Sequence, residues 1–82
     1  MPVARTALVE ARNECNMSQE DLAQAVGCSQ QFISMIEAGV RTPSLQLAGK
    51  ISAAVGAPVV RLFPDIVSAF RALVNNDPLL EG

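Results

Sequence analysis

The chain has 82 residues, with 8 Asp and Glu against 6 Lys and Arg and no His, for a formal net charge of −2. One small domain is implied, and the missing His excludes imidazole acid–base chemistry together with the Ser and Cys triads built on it. Half of the residues are apolar and only 17% are charged, which excludes a disordered composition but leaves a domain small enough to gain from oligomerising.

Gly and Pro punctuate the chain, and between them apolar residues recur at helical rather than alternating spacing. The pattern predicts an all-α bundle of about five helices. Ala4, Leu8, Ala11, Arg12 and Cys15 form the inner stripe of a first helix that ends near Asn16, with Glu10 and Glu14 on the opposite side. Ser18 opens the second helix through a capping box with Asp21, in which each side chain bonds the other's backbone amide. Leu22, Ala23 and Val26 form its buried face, and Gly27 stops it by taking positive φ.

Ser29 caps a third helix, whose apolar side is Ile33 and Ile36 with Phe32 beside them, ending at Gly39. Thr42-Pro43 gives a start signal for a fourth helix, with Pro at the first helical position. Leu45, Leu47, Ala48, Ile51 and Val55 supply its core side, and Gly56 closes it. Residues 58–63 read as a single turn carrying Val59, Leu62 and Phe63. A last helix over 64–76 follows from Pro64-Asp65, with Ile66, Val67, Phe70, Leu73 and Val74 on one stripe. A loose tail over 77–82 completes a single domain spanning 1–82.

Two short helices joined by a tight turn, with a small residue where they cross, form a helix-turn-helix. The stretch from Gln19 to Ala38 meets that description: Leu22 faces inward, Ala23 permits close approach, Gly27 turns, and Ile33 and Ile36 clamp the second helix onto the first. A helical hairpin can be core architecture alone, but a buried helix has no reason to begin with two glutamines. Gln30 and Gln31 follow the Ser29 cap directly, at the end of the helix that enters the major groove in this docking geometry. An amide donates and accepts in one plane, which suits adenine N6 and N7, and its single donor can reach guanine. Ser34 and Met35, one turn later, complete the expected base contacts.

The words MSQEDLA from Met17, SQQFISMIEAG from Ser29 and RTPSLQLAGKIS from Arg41 stand in the right order, and over residues 3–63 the chain resembles the Cro and phage-repressor type of helix-turn-helix transcriptional regulators. The resemblance implies that residues at the positions of Gln30 and Gln31 read base edges and that Gln19 clamps a phosphate. Expected contacts to the duplex backbone are Gln19, Ser29, Phe32, Arg41 and Thr42, with Phe32 equally able to pack in the core or cover a thymine methyl. Arg12 and Glu37 occupy positions that hold an internal ion pair in the resembled family, so a structural pairing is implied for them.

Other chemistries find no support in the residues. Cys15 and Cys28 have no CxxC spacing or companion soft ligands, so they read as reduced core residues and no metal site is expected. Gly49-Lys50 lacks the remainder of a phosphate-binding loop: Ser44 stands where its first Gly belongs and Ile51 where Ser or Thr must bind magnesium. No carboxylate pair forms, so neither an enzyme nor a cofactor is expected. No apolar run approaches a membrane span and no cleavable leader is read, so the expected location is the cytoplasm.

Charge is the difficulty for a DNA-binding reading. From Met1 to Gly56 there are 4 basic residues (Arg5, Arg12, Arg41, Lys50) against 5 acidic ones (Glu10, Glu14, Glu20, Asp21, Glu37), whereas duplex affinity draws heavily on phosphate neutralisation. With Arg12 internal, Arg5, Arg41 and Lys50 are the free cations of this reading. A homodimer on an inverted-repeat operator would compensate by linked binding, with Ile66, Phe70, Leu73 and Val74 of the last helix as its interface. The competing reading keeps the helix-turn-helix as a scaffold for a protein partner, as in an antitoxin or anti-regulator.

Overall fold

A computed structural model describes residues 3–75, and their side chains except at positions 70 and 73–75. Six helices follow one another: α1 (Thr6–Glu14), α2 (Gln19–Val26), α3 (Gln30–Glu37), α4 (Leu45–Val55), the single turn α5 (Val59–Leu62) and α6 (Pro64–Asn75). No strand occurs among the described residues. The expected residue 76 of the last helix and the tail over 77–82 lie outside the described residues.

Local hydrogen bonds set most of these boundaries. The Asp21 amide donates to Ser18 Oγ at 3.0 Å while the Ser18 amide donates to Asp21 Oδ2 at 2.9 Å, the reciprocal pairing that satisfies two orphan donors at a helix start. Gly27 and Gly56 end α2 and α4 in the left-handed region, with φ of 78° and 70°. Ser29 Oγ accepts from the Phe32 amide at 3.1 Å to start α3.

Three expectations are corrected. The fourth helix starts at Leu45 rather than at Pro43, because Ser44 Oγ accepts from the Leu47 amide and takes the cap position. That shift leaves Leu45 on the outer side of the first turn, 54% exposed, instead of in the core. Ala4 lies before α1 and Cys15 after it, and both are exposed. The stripe therefore reaches the interior only through Leu8 and Ala11, while the Cys15 thiol sits at the rim and donates to the Val55 carbonyl. Cys28 is half-buried against the core, and the loss of solvation there raises its thiol pKa, holding it in the neutral form.

The remaining apolar stripes converge. Leu8 from α1, Leu22 from α2, Ile33 and Ile36 from α3, Ile51 from α4, and Leu62 and Phe63 from the chain around α5 are sealed from solvent. Each such side chain contributes about 1.5–3 kcal/mol by leaving water. One core thus holds both helices of the helix-turn-helix motif against the rest of the domain, while Met17, Phe32 and Ile66 are half-buried around it.

Candidate nucleic-acid interface

The turn through Gly27 and the Ser29 cap bring α3 back across α2, with Leu22, Ala23 and Val26 facing Ile33 and Ile36 in the core. That packing fixes which side of α3 remains outside. Gln30 and Gln31 at its first turn are exposed, and Ser34 and Met35 are half-buried one turn on. Phe32 is also half-buried and packs against the core. Gln19 sits at the first position of α2, beside the start of α3.

Behind these side chains runs a continuous polar chain. Arg12 Nε donates to Glu37 Oε2 at 2.6 Å and a terminal nitrogen donates to Glu37 Oε1 at 3.2 Å, a bidentate pair of the kind the guanidinium fork favours. The other terminal nitrogen of Arg12 donates to the Met17 carbonyl at 2.8 Å. Glu37 is the one buried charged residue of the described chain, 5% exposed, and its Oε1 also accepts from Gln19 Nε2 at 3.0 Å. Gln19 Oε1 in turn accepts from Gln30 Nε2 at 3.0 Å. Gln30 is thereby held through Gln19 by a buried ion pair, and it keeps its carbonyl oxygen and one N–H for another partner. Sequence reasoning placed Gln19, Gln30 and Glu37 in separate roles and missed their connection, since the bonded pairs lie 18 and 11 residues apart.

Arg41 and Thr42 are exposed in the loop between α3 and α4, and Lys50 is exposed on α4. Arg5 corrects the expectation of a free cation. Its guanidinium donates to the carbonyls of Ile36 at 2.6 Å and Arg41 at 2.9 Å, to Thr42 Oγ1 at 3.4 Å and to Asp65 Oδ2 at 2.9 Å. It also lies over the Phe63 ring, 5.5 Å from the centroid, a favourable placement for a cation. No local pattern announces this, because its side-chain partners are 31 to 60 residues away. With Arg5 and Arg12 both turned inward, Arg41 and Lys50 are the exposed cations between residues 3 and 56.

Of the expected dimer residues, Ile66 is half-buried against the core, and the side chains of Phe70, Leu73 and Val74 lie outside the described residues. Among the described residues no cluster of three or more His, Cys, Asp or Glu could hold a metal, and no helix is long and apolar enough to cross a membrane.

Two carboxylates make folding sensitive to acid. Hydrogen bonds from Ser18 hold the Asp21 carboxyl below its ordinary pKa, and the hydrogen bond from Arg5 does the same for Asp65. A depressed carboxylate pKa adds stability that is complete above the unfolded value, near 4, and lost as pH falls through the folded one. With no His in the chain, the melting temperature should stay level between about pH 5 and 7 and drop below about pH 4. Thermal melts across that range check this, and Asp65→Asn should flatten part of the acid limb; an equally steep limb in the variant would remove Asp65 from the account.

Comparison with known proteins gives a consistent picture. A family model described as helix-turn-helix matches residues 8–62. An uncharacterized HTH-type transcriptional regulator of Archaeoglobus fulgidus is 41% identical over 59 residues, covering 72% of this chain and 83% of that protein. Among solved structures, the restriction-modification controller protein C.AhdI from Aeromonas hydrophila superposes with a TM-score of 0.65 at 31% identity, over 71% of this chain and 84% of that one. The clp gene regulator ClgR from Corynebacterium glutamicum shares the fold, with a TM-score of 0.66 at 22% identity over 93% of this chain and 81% of that one.

Proposed function

This chain belongs to the helix-turn-helix family of transcriptional regulators, which is not a family of enzymes, and on that premise we propose that it is a sequence-specific regulator that reads an inverted-repeat operator in duplex DNA as a homodimer. The observation that carries this reading is the pair of exposed amides at the start of α3, one of them oriented through Gln19 by the buried Arg12–Glu37 pair. A side chain oriented before binding loses less entropy when it meets a base edge. In the docking of this motif the N-terminal end of α3 enters the major groove, where Gln30 and Gln31 meet base edges and Ser34 and Met35 follow one turn later. Gln19, Ser29 and Phe32 flank that end, Arg41 and Thr42 lie in the loop beyond the other end of α3, and these five serve the duplex backbone. The likeness to a restriction-modification controller favours a controller or repressor role.

The charge balance supports the dimer and keeps one competitor in play. With Arg41 and Lys50 as the exposed cations of the motif-bearing half, residues 3–56, non-specific binding by that half should be weak and its salt dependence modest, since each neutralised phosphate contributes only ~0.9 to the slope. Two subunits joined through α6, by Ile66, Phe70, Leu73 and Val74, would restore affinity by linkage. The same shortage of exposed cations suits a protein partner instead, in which case the motif serves as a scaffold.

Selection from a pool of random duplexes separates these readings. The regulator enriches two half-sites about one helical turn apart, whereas the scaffold enriches no sequence at any salt. On the enriched duplex, Gln30→Ala and Gln31→Ala each cost ~1–3 kcal/mol of binding, with melting temperatures close to the parent's because both side chains are exposed. Parent-like binding by both variants would remove the amides from base recognition.

A further inference from the structure

Arg5 joins three parts of the molecule at one guanidinium. The end of α3 contributes the Ile36 carbonyl, the loop beyond it contributes the Arg41 carbonyl and Thr42 Oγ1, and α6 contributes the Asp65 carboxylate. The side chain is only 8% exposed. Its backbone is fixed too, because the Arg5 amide donates to the Glu37 carbonyl at 2.8 Å. Both Arg5 donors that reach α3 fall on carbonyls of its last turn, which attract positive charge; the Ile36 carbonyl also accepts from the Gly39 amide at 3.1 Å. Nearby, the chain at Val3 lies so close to Gly39 that a Cβ there would collide with the Val3 carbonyl. The segment carrying Arg5 is thus pressed onto the backbone of the loop after α3.

A guanidinium is a planar fork with fixed donor directions, so moving α6 relative to the loop must break one set of bonds or the other. We propose that Arg5 is a positioning residue that locks the loop carrying Arg41 and Thr42 to the start of α6, and so sets the separation of the two half-sites that a dimer can occupy. The proposal rests on the dimeric DNA-binding reading above. Under that reading α6 joins the subunits while α3 and its loop meet the duplex, and the link between them fixes how far apart and at what angle the two recognition helices stand. Asp65 pairs with Arg5 and takes no part in base or phosphate contact, which makes it the place to cut the link.

The test uses the full chain, the selected inverted-repeat duplex, and the same duplex with one base pair added between half-sites. The added pair rotates and displaces one half-site relative to the other, and the parent should lose at least roughly tenfold in affinity. Asp65→Ala should lose less than about threefold on the same insertion, as a slackened link tolerates both spacings; Asp65→Glu, which keeps the carboxylate, should restore most of the parent's discrimination. In the free protein, amide hydrogen exchange at Val40 and Arg41, whose acceptor is the Met35 carbonyl, should be several-fold faster in Asp65→Ala than in the parent. Unchanged exchange, or a spacing penalty equal to the parent's, overturns the proposal while leaving the DNA-binding reading intact. A parent that enriches no duplex overturns that reading and the proposal with it.

Discussion

Replacing Arg12 with Ala should lower the stability of this domain by ~3–5 kcal/mol, the range for stranding one partner of a buried ion pair. Arg12 and Glu37 side chains are 12% and 6% exposed, so water cannot take over the solvation of the carboxylate left behind. Gln19 would be the one side chain still donating to Glu37 among the described residues, and the Met17 carbonyl would lose its donor as well. A domain of this length shifts by roughly 4–8 °C per kcal/mol, so a melting temperature lower by some tens of degrees is expected by circular dichroism. Changing Arg12 and Glu37 together to apolar residues of similar volume should recover part of the loss, because no charge then remains buried. The substitution should also loosen Gln19 and Gln30, whose orientation depends on Glu37. A variant that melts like the parent yet fails to bind DNA would make Arg12 a phosphate contact instead of a structural one.

The second large effect belongs to the proposed dimer. Phe70→Asp should convert it to a monomer and reduce operator affinity by about 10²–10⁴-fold, the span over which linking two sites raises avidity. Ile66, Phe70, Leu73 and Val74 recur at the spacing of one helical face, and a carboxylate in the middle of such a seam would be desolvated without a partner. The choice of Phe70 follows that spacing in the sequence, while Ile66 is already half-engaged with the core and would confound folding with assembly. Sedimentation at micromolar concentration and footprinting on the selected duplex read the outcome. A Phe70→Asp protein that stays dimeric places the interface elsewhere, and a strictly monomeric parent that still protects both half-sites confines dimerisation to the DNA.

Charge makes this dependence sharper than in a basic regulator. With Arg5 engaged by four acceptors and Arg12 by Glu37, two cations of the motif-bearing half serve the fold rather than the duplex. Single-subunit binding has correspondingly little electrostatic attraction to draw on.

Which parts of this molecule could be read from its sequence follows from the range of the interactions involved. The capping box of Ser18 and Asp21, the cap of Ser29, and the left-handed stops at Gly27 and Gly56 each depend on residues no more than four apart, so composition and spacing announce them. The burial of Leu22, Val26, Ile33 and Ile36 likewise follows from helical periodicity, and with the turn it makes the helix-turn-helix legible before any coordinates. Tertiary structure decided the rest. Periodicity assigns a face but not how far along a helix that face stays covered, so Cys15 and Leu45 fell at the edge of the core. Ser44 displaced the Thr42-Pro43 start because two caps competed within one short loop, and the hydroxyl that reached the third amide prevailed. The pairing of Arg12 with Glu37 was implied by resemblance, and the bonds that Arg5 and Gln19 make inside the fold could not be read at all. Their partners are separated by 11 to 60 residues, and such encounters exist only once the helices have packed, because nothing in the local chain specifies which distant carbonyl or carboxylate a long polar side chain will meet.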